Sequence, residues 1–222
     1  MSIVDAGGLV RTLDALDENF FHGDQLSKDQ KVKTAGWIAS QQGSANQYLG
    51  FAPSESDLAQ GIRLFSGEKL RTKIASFGVV SIEACRMLLL LGVNTPVVID
   101  AIEHTNRRLR NVCYANGCIL GECAHASVAV GRYLAVGGLE NRGQRLEEFL
   151  QRLSANRDGT GRWMRFPFYY TLLALTEIDH PSAAEERQYA APVCERYLKR
   201  KPKDGRYDQR RCTIMKRVLA KS

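Results

Sequence analysis

The sequence NRDGTGRWMRFPFYYTLLALTEI, residues 156–178, decides the fold class of this chain. In it, a glycine-rich polar turn leads through Trp163, Phe166 and Phe168 directly into a long apolar segment. Two further apolar segments, residues 81–92 and 124–138, precede it at intervals of roughly forty residues, a spacing typical of helix-pair repeats. None of the three alternates between apolar and polar positions as strands do. We therefore predict an all-α protein built from stacked helical hairpins.

The remaining sequence also has helical signals. Serine and acidic residues after Pro53 predict a helix that ends near Phe65. An apolar helix is expected over residues 72–91, and a basic C-terminal helix over about 183–222. We expect the whole chain, 1–222, to form a single all-helical domain.

The composition favours a folded protein with a core. Its 222 residues are 44% hydrophobic and 25% charged, which excludes a disordered chain. Acidic residues close to the amino terminus and the lack of an apolar segment there predict that no signal peptide is present. The longest apolar run, Met87–Leu91, is too short for a membrane span. We expect a soluble, cytoplasmic protein whose six cysteines are reduced thiols.

One segment concentrates residues that could bind a metal ion. Cys113, Cys118, Cys123 and His125 lie within thirteen positions, and thiolate and imidazole groups are the ligands that zinc prefers. Steps of five residues along one helix turn by about 140°, so the cysteines can converge only if the Asn116-Gly117 turn interrupts the helix. In the alternative interpretation the thiols are small apolar core residues. No cofactor is predicted, and zinc is the metal that this group would suit.

Glu122 and His125 are the candidates for acid–base chemistry. They are three residues apart and would share one face of a helix. Such a pair could act as general acid and base or orient a polar ligand. Alternatively, the two side chains pair only with each other inside a helix interface and have no part in chemistry.

Residues 156–178 also supply the candidate ligand-binding side chains. Trp163, Phe166, Tyr169 and Tyr170 could line an apolar site, with Asp158 at its polar rim. Alternatively, the aromatic side chains fill the space between helix pairs, and Asp158 stabilises the turn before the next helix.

A resemblance to a known family is carried by residues 145–178, beginning RLEEFLQRLSANRDGTGRW. This segment resembles the QW-type turn of α/α-toroid proteins, the group of prenyltransferases and squalene cyclases. The resemblance implies inner and outer helices in a ring or short superhelix around an apolar cavity, with the aromatic residues at its mouth. The chain lacks the Asp-rich motif of the cyclases and the Asp-x-Cys pair of the protein prenyltransferases. The resemblance therefore implies a fold and not a particular reaction.

The net charge of +7 is concentrated in the arginines after His104 and in residues 196–221. Three functions are compatible with these features. The first is a helical-repeat protein that binds a protein partner or an apolar ligand on an aromatic-lined concave face. The second is an α/α-toroid-type enzyme that uses Glu122 and His125 with or without zinc, and the third is a nucleic-acid-binding accessory protein that uses the basic C-terminal region. A homo-oligomer is compatible with each of them.

Overall fold

The computed structural model describes residues 4, 5, 7–43, 48–200 and 204–221. The all-α prediction is confirmed, because helices account for the regular structure of these residues. The α-helices are α1 (Leu9–His22), α2 (Lys28–Ser40), α3 (Glu55–Gln60), α4 (Lys73–Leu91), α5 (Pro96–Leu109), α6 (Cys123–Ala135), α7 (Arg142–Ala155), α8 (Phe168–Glu177), α9 (Pro181–Leu198) and α10 (Arg206–Ala220). A 3₁₀ turn spans Cys113–Asn116. Within the described ranges, extended backbone pairs at two isolated bridges, Arg63 with Lys69 and Arg157 with Trp163.

Short polar side chains fix the start of several helices. The hydroxyl groups of Ser27, Ser54 and Thr72 each accept a hydrogen bond from the backbone N–H three residues later, at 3.2, 3.1 and 3.3 Å. Such a cap satisfies one of the free N–H groups of the first turn and contributes about 1 kcal/mol. At the other end of α4, Gly92 adopts a left-handed conformation that terminates the helix.

The predicted helix from Ser54 to about Phe65 is wrong in its extent, because α3 already ends at Gln60. Gly61 follows with φ 82°, a conformation that glycine adopts without steric cost and that stops the helix. Beyond it the chain folds back on itself, since the N–H of Leu70 donates to the carbonyl of Ile62 at 2.8 Å. We call residues 62–70 the 62–70 hairpin.

The C-terminal region forms two helices where the sequence predicted one over about 183–222. They are α9 and α10, and residues 201–203 between them lie outside the described part of the chain. α10 turns back to pack against both α8 and α9. This return brings the end of the chain close to its beginning, because the side chain of Arg210 reaches Asp14 of α1.

The helices pack as consecutive pairs. α4, α6 and α8 form an inner row in which α6 contacts both of the others, and each of them packs against the helix that follows it. A close approach between α6 and α7 requires a glycine, because a Cβ at Gly131 would lie 2.8 Å from the ring of Phe149. The buried apolar side chains of the described residues belong to one connected core. Closure of the pairs into a ring stays a prediction.

α4 is long and apolar enough to cross a membrane, by length and composition alone. In this fold 72% of its apolar window is buried, and its neighbours are α1, α2, α5 and α6. The core helix of a soluble protein has the same properties. That the chain does not span a membrane remains a prediction.

A fully buried arginine connects the inner helices. The guanidinium of Arg132 in α6 donates to Asp17 of α1 at 2.9 and 3.0 Å and to Glu83 of α4 at 3.0 Å. It also donates twice to Glu177 of α8, at 2.7 Å in both cases. One side chain therefore holds carboxylates from three other helices.

Two further side chains complete this arrangement. Arg86 of α4 donates to Glu83 at 2.8 Å and also to Asp17, and the hydroxyl of Tyr170 in α8 donates to Glu83. Burying charges costs free energy unless each group finds partners, and here the groups satisfy one another. We call Asp17, Glu83, Arg86, Arg132, Tyr170 and Glu177 the buried ion network; Glu177 lies at its edge, with a side chain that is 27% exposed.

The network stabilises the ionised form of Asp17. Burial by itself would raise the pKa of this carboxyl, but the guanidinium groups of Arg132 and Arg86 have the larger effect and lower the pKa from 3.8 to about 2. Asp17 is therefore a carboxylate at neutral pH.

We expect Arg132→Met to lower the free energy of unfolding by about 3–5 kcal/mol, because the substitution leaves buried carboxylates without their partner. Urea unfolding followed by circular dichroism measures the change. Arg110→Met is the matched control, since Arg110 pairs with Glu140 at the surface and both side chains are at least 43% exposed. Its effect should stay below about 1 kcal/mol. Equal effects of the two substitutions would contradict a special role of the network.

Stability should also depend on the ionisation of Asp17. Its pKa is lower in the folded protein than in the unfolded chain, so its contribution is complete above about pH 4 and is lost as the pH falls toward about 2. The contribution amounts to about 2 kcal/mol. Urea unfolding between pH 5 and pH 2 measures it, and Asp17→Asn should show a shallower decline in this window. A decline of the same size in Asp17→Asn would assign the loss to other carboxylates.

Candidate functional site

A small cavity of about 50 Å³ lies between α1, α4 and the 62–70 hairpin. Such a volume accommodates about three or four water-sized groups. Most of its wall is apolar and consists of Val10, Leu13, Ile62, Leu64, Phe65, Val79 and Val80. Four members of the buried ion network also line it, namely Asp17, Glu83, Arg132 and Tyr170. We call this space the inner cavity.

A larger cleft adjoins the inner cavity, and the two share Val10, Asp14, Ile62 and Arg63 in their walls. The cleft has a volume of about 760 Å³ and lies between α1, the residues around Gly61 and the start of α10. This size is within the range of ligand sites in proteins. We call it the α1–α10 cleft. Because the two spaces adjoin, a ligand in the cleft would lie next to the apolar cavity and the network within it.

Ion pairs hold the walls of the α1–α10 cleft together. Arg210 of α10 is almost fully buried and donates to Asp14 at 2.7 Å and to Glu18 at 2.6 Å. The same guanidinium donates to the carbonyl oxygen of Phe65 at 3.0 Å, which fixes the 62–70 hairpin against both helices. Arg206 adds a bond to Asp14 at 2.6 Å. The cleft is thus bounded by groups whose positions are fixed.

Some of these contacts involve the basic C-terminal region, for which the sequence predicted nucleic-acid binding as one possible function. Arg206 and Arg210 are paired with acidic residues of α1, and Arg211 donates to the carbonyl of Ser66 at 2.7 Å. Among the described residues, the exposed basic residues of this region are Arg196, Lys199, Arg200, Arg206, Lys216 and Lys221, of which Arg206 is paired with Asp14 and Lys221 donates to the carbonyl of Thr176. Lys201 and Lys203 lie outside the described residues. Nucleic-acid binding by this region stays a prediction, and several of its arginines have a structural role.

The structure brings Cys113, Cys118 and Cys123 together. Their sulfur atoms all lie within 4.8 Å of one another, and the Sγ atoms of Cys113 and Cys123 are 3.8 Å apart. The interruption at Gly117 that convergence requires is present, since this residue has φ 73°. His125, the fourth candidate ligand, lies outside this group, and its Nδ1 is buried without a hydrogen-bond partner among the described residues. We call the three residues the cysteine cluster.

The thiols of the cysteine cluster differ in acidity. A hydrogen bond from the N–H of Leu120 lowers the pKa of Cys118, and the nearby guanidinium of Arg152 acts in the same direction. Burial and, to a lesser extent, the neighbouring Cys113 together raise the pKa of Cys123 to about 12. Cys118 therefore loses its proton more readily than Cys123.

Glu122 is occupied by the backbone of another helix. Its two carboxylate oxygens accept hydrogen bonds from the N–H groups of Arg71 and Thr72, at 2.7 and 2.6 Å, where α4 begins. Burial would raise the pKa of Glu122, but these bonds lower it. Burial lowers the pKa of His125. The geometry makes Glu122 a cap of α4, a role that no local sequence pattern shows because its partners are about fifty positions away.

The four aromatic candidates lie in different surroundings. Trp163 is 4% exposed, and its indole N–H donates to Glu186 at 2.6 Å. Phe166 is also buried, and Tyr169 lies under the guanidinium of Arg211 at 4.6 Å. Tyr170 lines the inner cavity. Trp163 and Phe166 therefore fill space between helices, whereas Tyr170 reaches a site where a ligand could bind.

Asp158 organises its own turn. Its carboxylate accepts hydrogen bonds from the N–H of Thr160 at 2.8 Å, from the N–H of Arg162 at 3.1 Å and from the hydroxyl of Tyr189 at 3.2 Å. The hydrogen bond from the backbone N–H of Thr160 lowers the pKa of Asp158, although desolvation acts in the opposite direction. This geometry corresponds to the turn-stabilising interpretation of Asp158.

Sequence reasoning did not select Asp17, Arg132 and Glu177 as functional residues. A signal for Arg132 exists, because it stands alone as a charged residue in the apolar segment 124–138. Charged residues are almost never fully buried without partners, so a charge on an apolar helix face predicts a buried ion pair. The partners of Arg132 belong to other helices, and the sequence around Arg132 does not indicate which residues they are.

The burial of Trp163 can be measured by fluorescence, because Trp37 is the one other tryptophan of the chain. In the variant Trp37→Phe, the emission of Trp163 should resist quenching by acrylamide, since the ring is packed away from solvent. In the matched variant Trp163→Phe, the partly buried Trp37 should be quenched several-fold more strongly. Strong quenching of Trp163 would place its ring at an open surface, as a ligand-binding role would require.

The geometry above can be set beside known proteins. No family model, curated protein or solved structure matches this chain. The resemblance of residues 145–178 to α/α-toroid proteins stays a prediction.

Proposed function

We propose that this protein binds a small organic cation, with its ammonium group and a short apolar chain in the inner cavity and any larger part in the α1–α10 cleft. It is a ligand-binding function, and no reaction is assigned to it. The sequence predicted an apolar ligand on an aromatic-lined concave face. The proposed ligand also has an apolar part, but its site is the inner cavity and the α1–α10 cleft. The observation that carries it is the charge of the network at the inner cavity.

The buried ion network contains one more acid than base. Asp17, Glu83 and Glu177 are opposed by Arg86 and Arg132, so the ionised groups have a formal charge of −1. The charged residues that line the cavity have the same balance, because Asp14, Asp17 and Glu83 lie there with Arg63 and Arg132, whereas the partly exposed Glu177 lies outside its wall. In surroundings of low dielectric constant, a cation is attracted to such a group more strongly than in water, and an anion is repelled. The cavity therefore favours a positively charged group.

The cavity walls select the rest of the ligand. Most of the side chains that line the cavity are apolar, and Leu13, Val79 and Val80 among them are buried. Contact with a short alkyl chain would remove apolar surface from water, at about 25 cal/mol per Å². A strongly hydrated cation without such a chain would gain nothing from these walls. A primary alkylamine combines both features.

Acid catalysis is the alternative use of a carboxylate beside an apolar cavity. It requires a carboxyl group that carries a proton near neutral pH. The pKa of Asp17 is lowered to about 2 by Arg132 and Arg86, so this group is ionised instead. The geometry thus supports recognition of charge by Asp17 in preference to proton donation.

Binding should be measured with n-butylamine, with n-butanol and butyric acid as neutral and anionic probes of similar size. Isothermal calorimetry or saturation-transfer NMR at pH 7 should show binding of the amine with a dissociation constant in the millimolar range or tighter. The acid should not bind, because the network repels it. No binding of the amine, or equal binding of the acid, would contradict the proposal.

The place of binding can be tested by filling the junction of cavity and cleft. Val10→Trp should weaken amine binding at least about 10-fold, because Val10 lines both spaces and the larger ring would obstruct the passage. Val32→Trp is the matched control on α2, where the side chain is 44% exposed, and it should leave binding unchanged. Glu83→Gln removes one negative charge with little change of shape and should also weaken binding. Unaltered binding by Val10→Trp would place the amine elsewhere.

A further inference from the structure

We propose that the cysteine cluster is a zinc site in which Cys113, Cys118 and Cys123 supply three thiolate ligands and solvent occupies the fourth position. The site is independent of the amine-binding site, with which it shares no lining residue. Three features support it: the backbone brings the sulfur atoms together, their separations suit a metal ion, and one of the cysteines is exposed.

Two glycine turns bring the sulfur atoms together. Gly117 and Gly121 have φ 73° and 53°, which reverse the chain between successive cysteines. The space at Gly117 is also restricted, because a Cβ there would collide with the side chain of Arg152. A continuous helix would point the three side chains in different directions. The turns therefore place all three on one side of the loop.

Hydrogen bonds hold this loop on α6. The hydroxyl of Ser127 is shared between the carbonyl oxygens of Cys118 and Tyr114, at 2.7 and 3.1 Å. The N–H of Cys118 also donates to the carbonyl of Cys113 at 3.2 Å. The loop is fixed by the protein itself, so the ligands are already positioned before an ion binds.

The separation of the sulfur atoms fits a tetrahedral ion. Zinc binds cysteine sulfur at about 2.3 Å, and two ligands at the corners of a tetrahedron then lie about 3.8 Å apart. The Sγ atoms of Cys113 and Cys123 are 3.8 Å apart, and that of Cys118 is within 4.8 Å of both. A displacement of about 1 Å or less of one side chain, within the reach of a rotation about χ1, completes the three-ligand set.

The charges around the site and its exposure indicate which groups surround the bound ion and what occupies its fourth coordination position. Three thiolates and one Zn²⁺ carry a charge of −1, and the guanidinium of Arg152 lies close enough to interact with Cys118. The N–H of Leu120 donates to the sulfur of Cys118, as backbone donors do around metal-bound thiolates. Cys113 is exposed, so water has access to the fourth coordination position. Zinc sites with an open position likewise have three protein ligands and one solvent molecule, and some of them use three cysteines.

The experiment uses the full chain, reduced with a phosphine and freed of metal by a chelator. Titration with Co²⁺ should give thiolate-to-cobalt absorption in the near ultraviolet and visible bands of tetrahedral intensity, saturating at one equivalent, and Zn²⁺ should displace the Co²⁺. Native mass spectrometry should then show one bound zinc ion. Competition with a chromophoric chelator gives the zinc association constant.

Matched cysteine variants decide which residues bind. Cys118→Ser and the exposed Cys113→Ser should each lower the zinc association constant by at least about 100-fold, the upper limit of the loss seen when an outer contact of a zinc ligand is removed. Cys212→Ser, in α10, should leave the constant unchanged, and circular dichroism checks that all variants are folded. Failure of the folded, reduced protein to bind Co²⁺ or Zn²⁺ would overturn the proposal. Unchanged affinity in both Cys118→Ser and Cys113→Ser would also overturn it. So would a protein that is isolated with a Cys113–Cys123 disulfide and takes up no metal once this bond has been reduced.

Discussion

The sharing of one buried guanidinium by carboxylates of three other helices is the interaction on which the rest of this structure depends. Arg132 cannot be moved without leaving charges unpaired in the core, so it fixes the mutual positions of α1, α4, α6 and α8. Apolar packing alone tolerates alternative arrangements of similar volume. A set of directed, charge-assisted hydrogen bonds does not, because each alternative loses bonds that water cannot replace in the core. We infer that the network selects one packing of the inner helices.

The same constraint connects the fold with the proposed binding function. The network is not enclosed on all sides, because Asp17, Glu83, Arg132 and Tyr170 also line the inner cavity. Groups that are held in place by their structural partners lose little freedom when a ligand arrives, which favours binding. A site built in this way has its charge and its geometry fixed before the ligand is present, and its selectivity depends on the imbalance between acids and bases.

Long-range polar contacts have a second role at the ends of helices. Glu122 accepts hydrogen bonds from the N–H groups of Arg71 and Thr72, immediately before α4. Glu68 of the 62–70 hairpin accepts hydrogen bonds from the N–H groups of Tyr169 and Tyr170 in the first turn of α8, at 2.9 and 3.1 Å. Each carboxylate faces the positive end of a helix, where a negative charge is favourable. Two inner helices are thus held by acids that lie far away in the sequence, in addition to the local caps. The carboxylate of Glu122, a candidate for acid–base chemistry, is thus used to hold the start of α4.

The sequence by itself determined the all-α class, because helical periodicity and capping residues such as Ser27 act within a few positions. It also contained the condition for the cysteine cluster, since the turn at Gly117 is a local property of the chain. Only the tertiary structure decided the partners of Arg132 and the inner cavity. The physical reason is the same in each case. These features depend on contacts between residues 45 to 145 positions apart, and such contacts leave no periodic signal in the sequence.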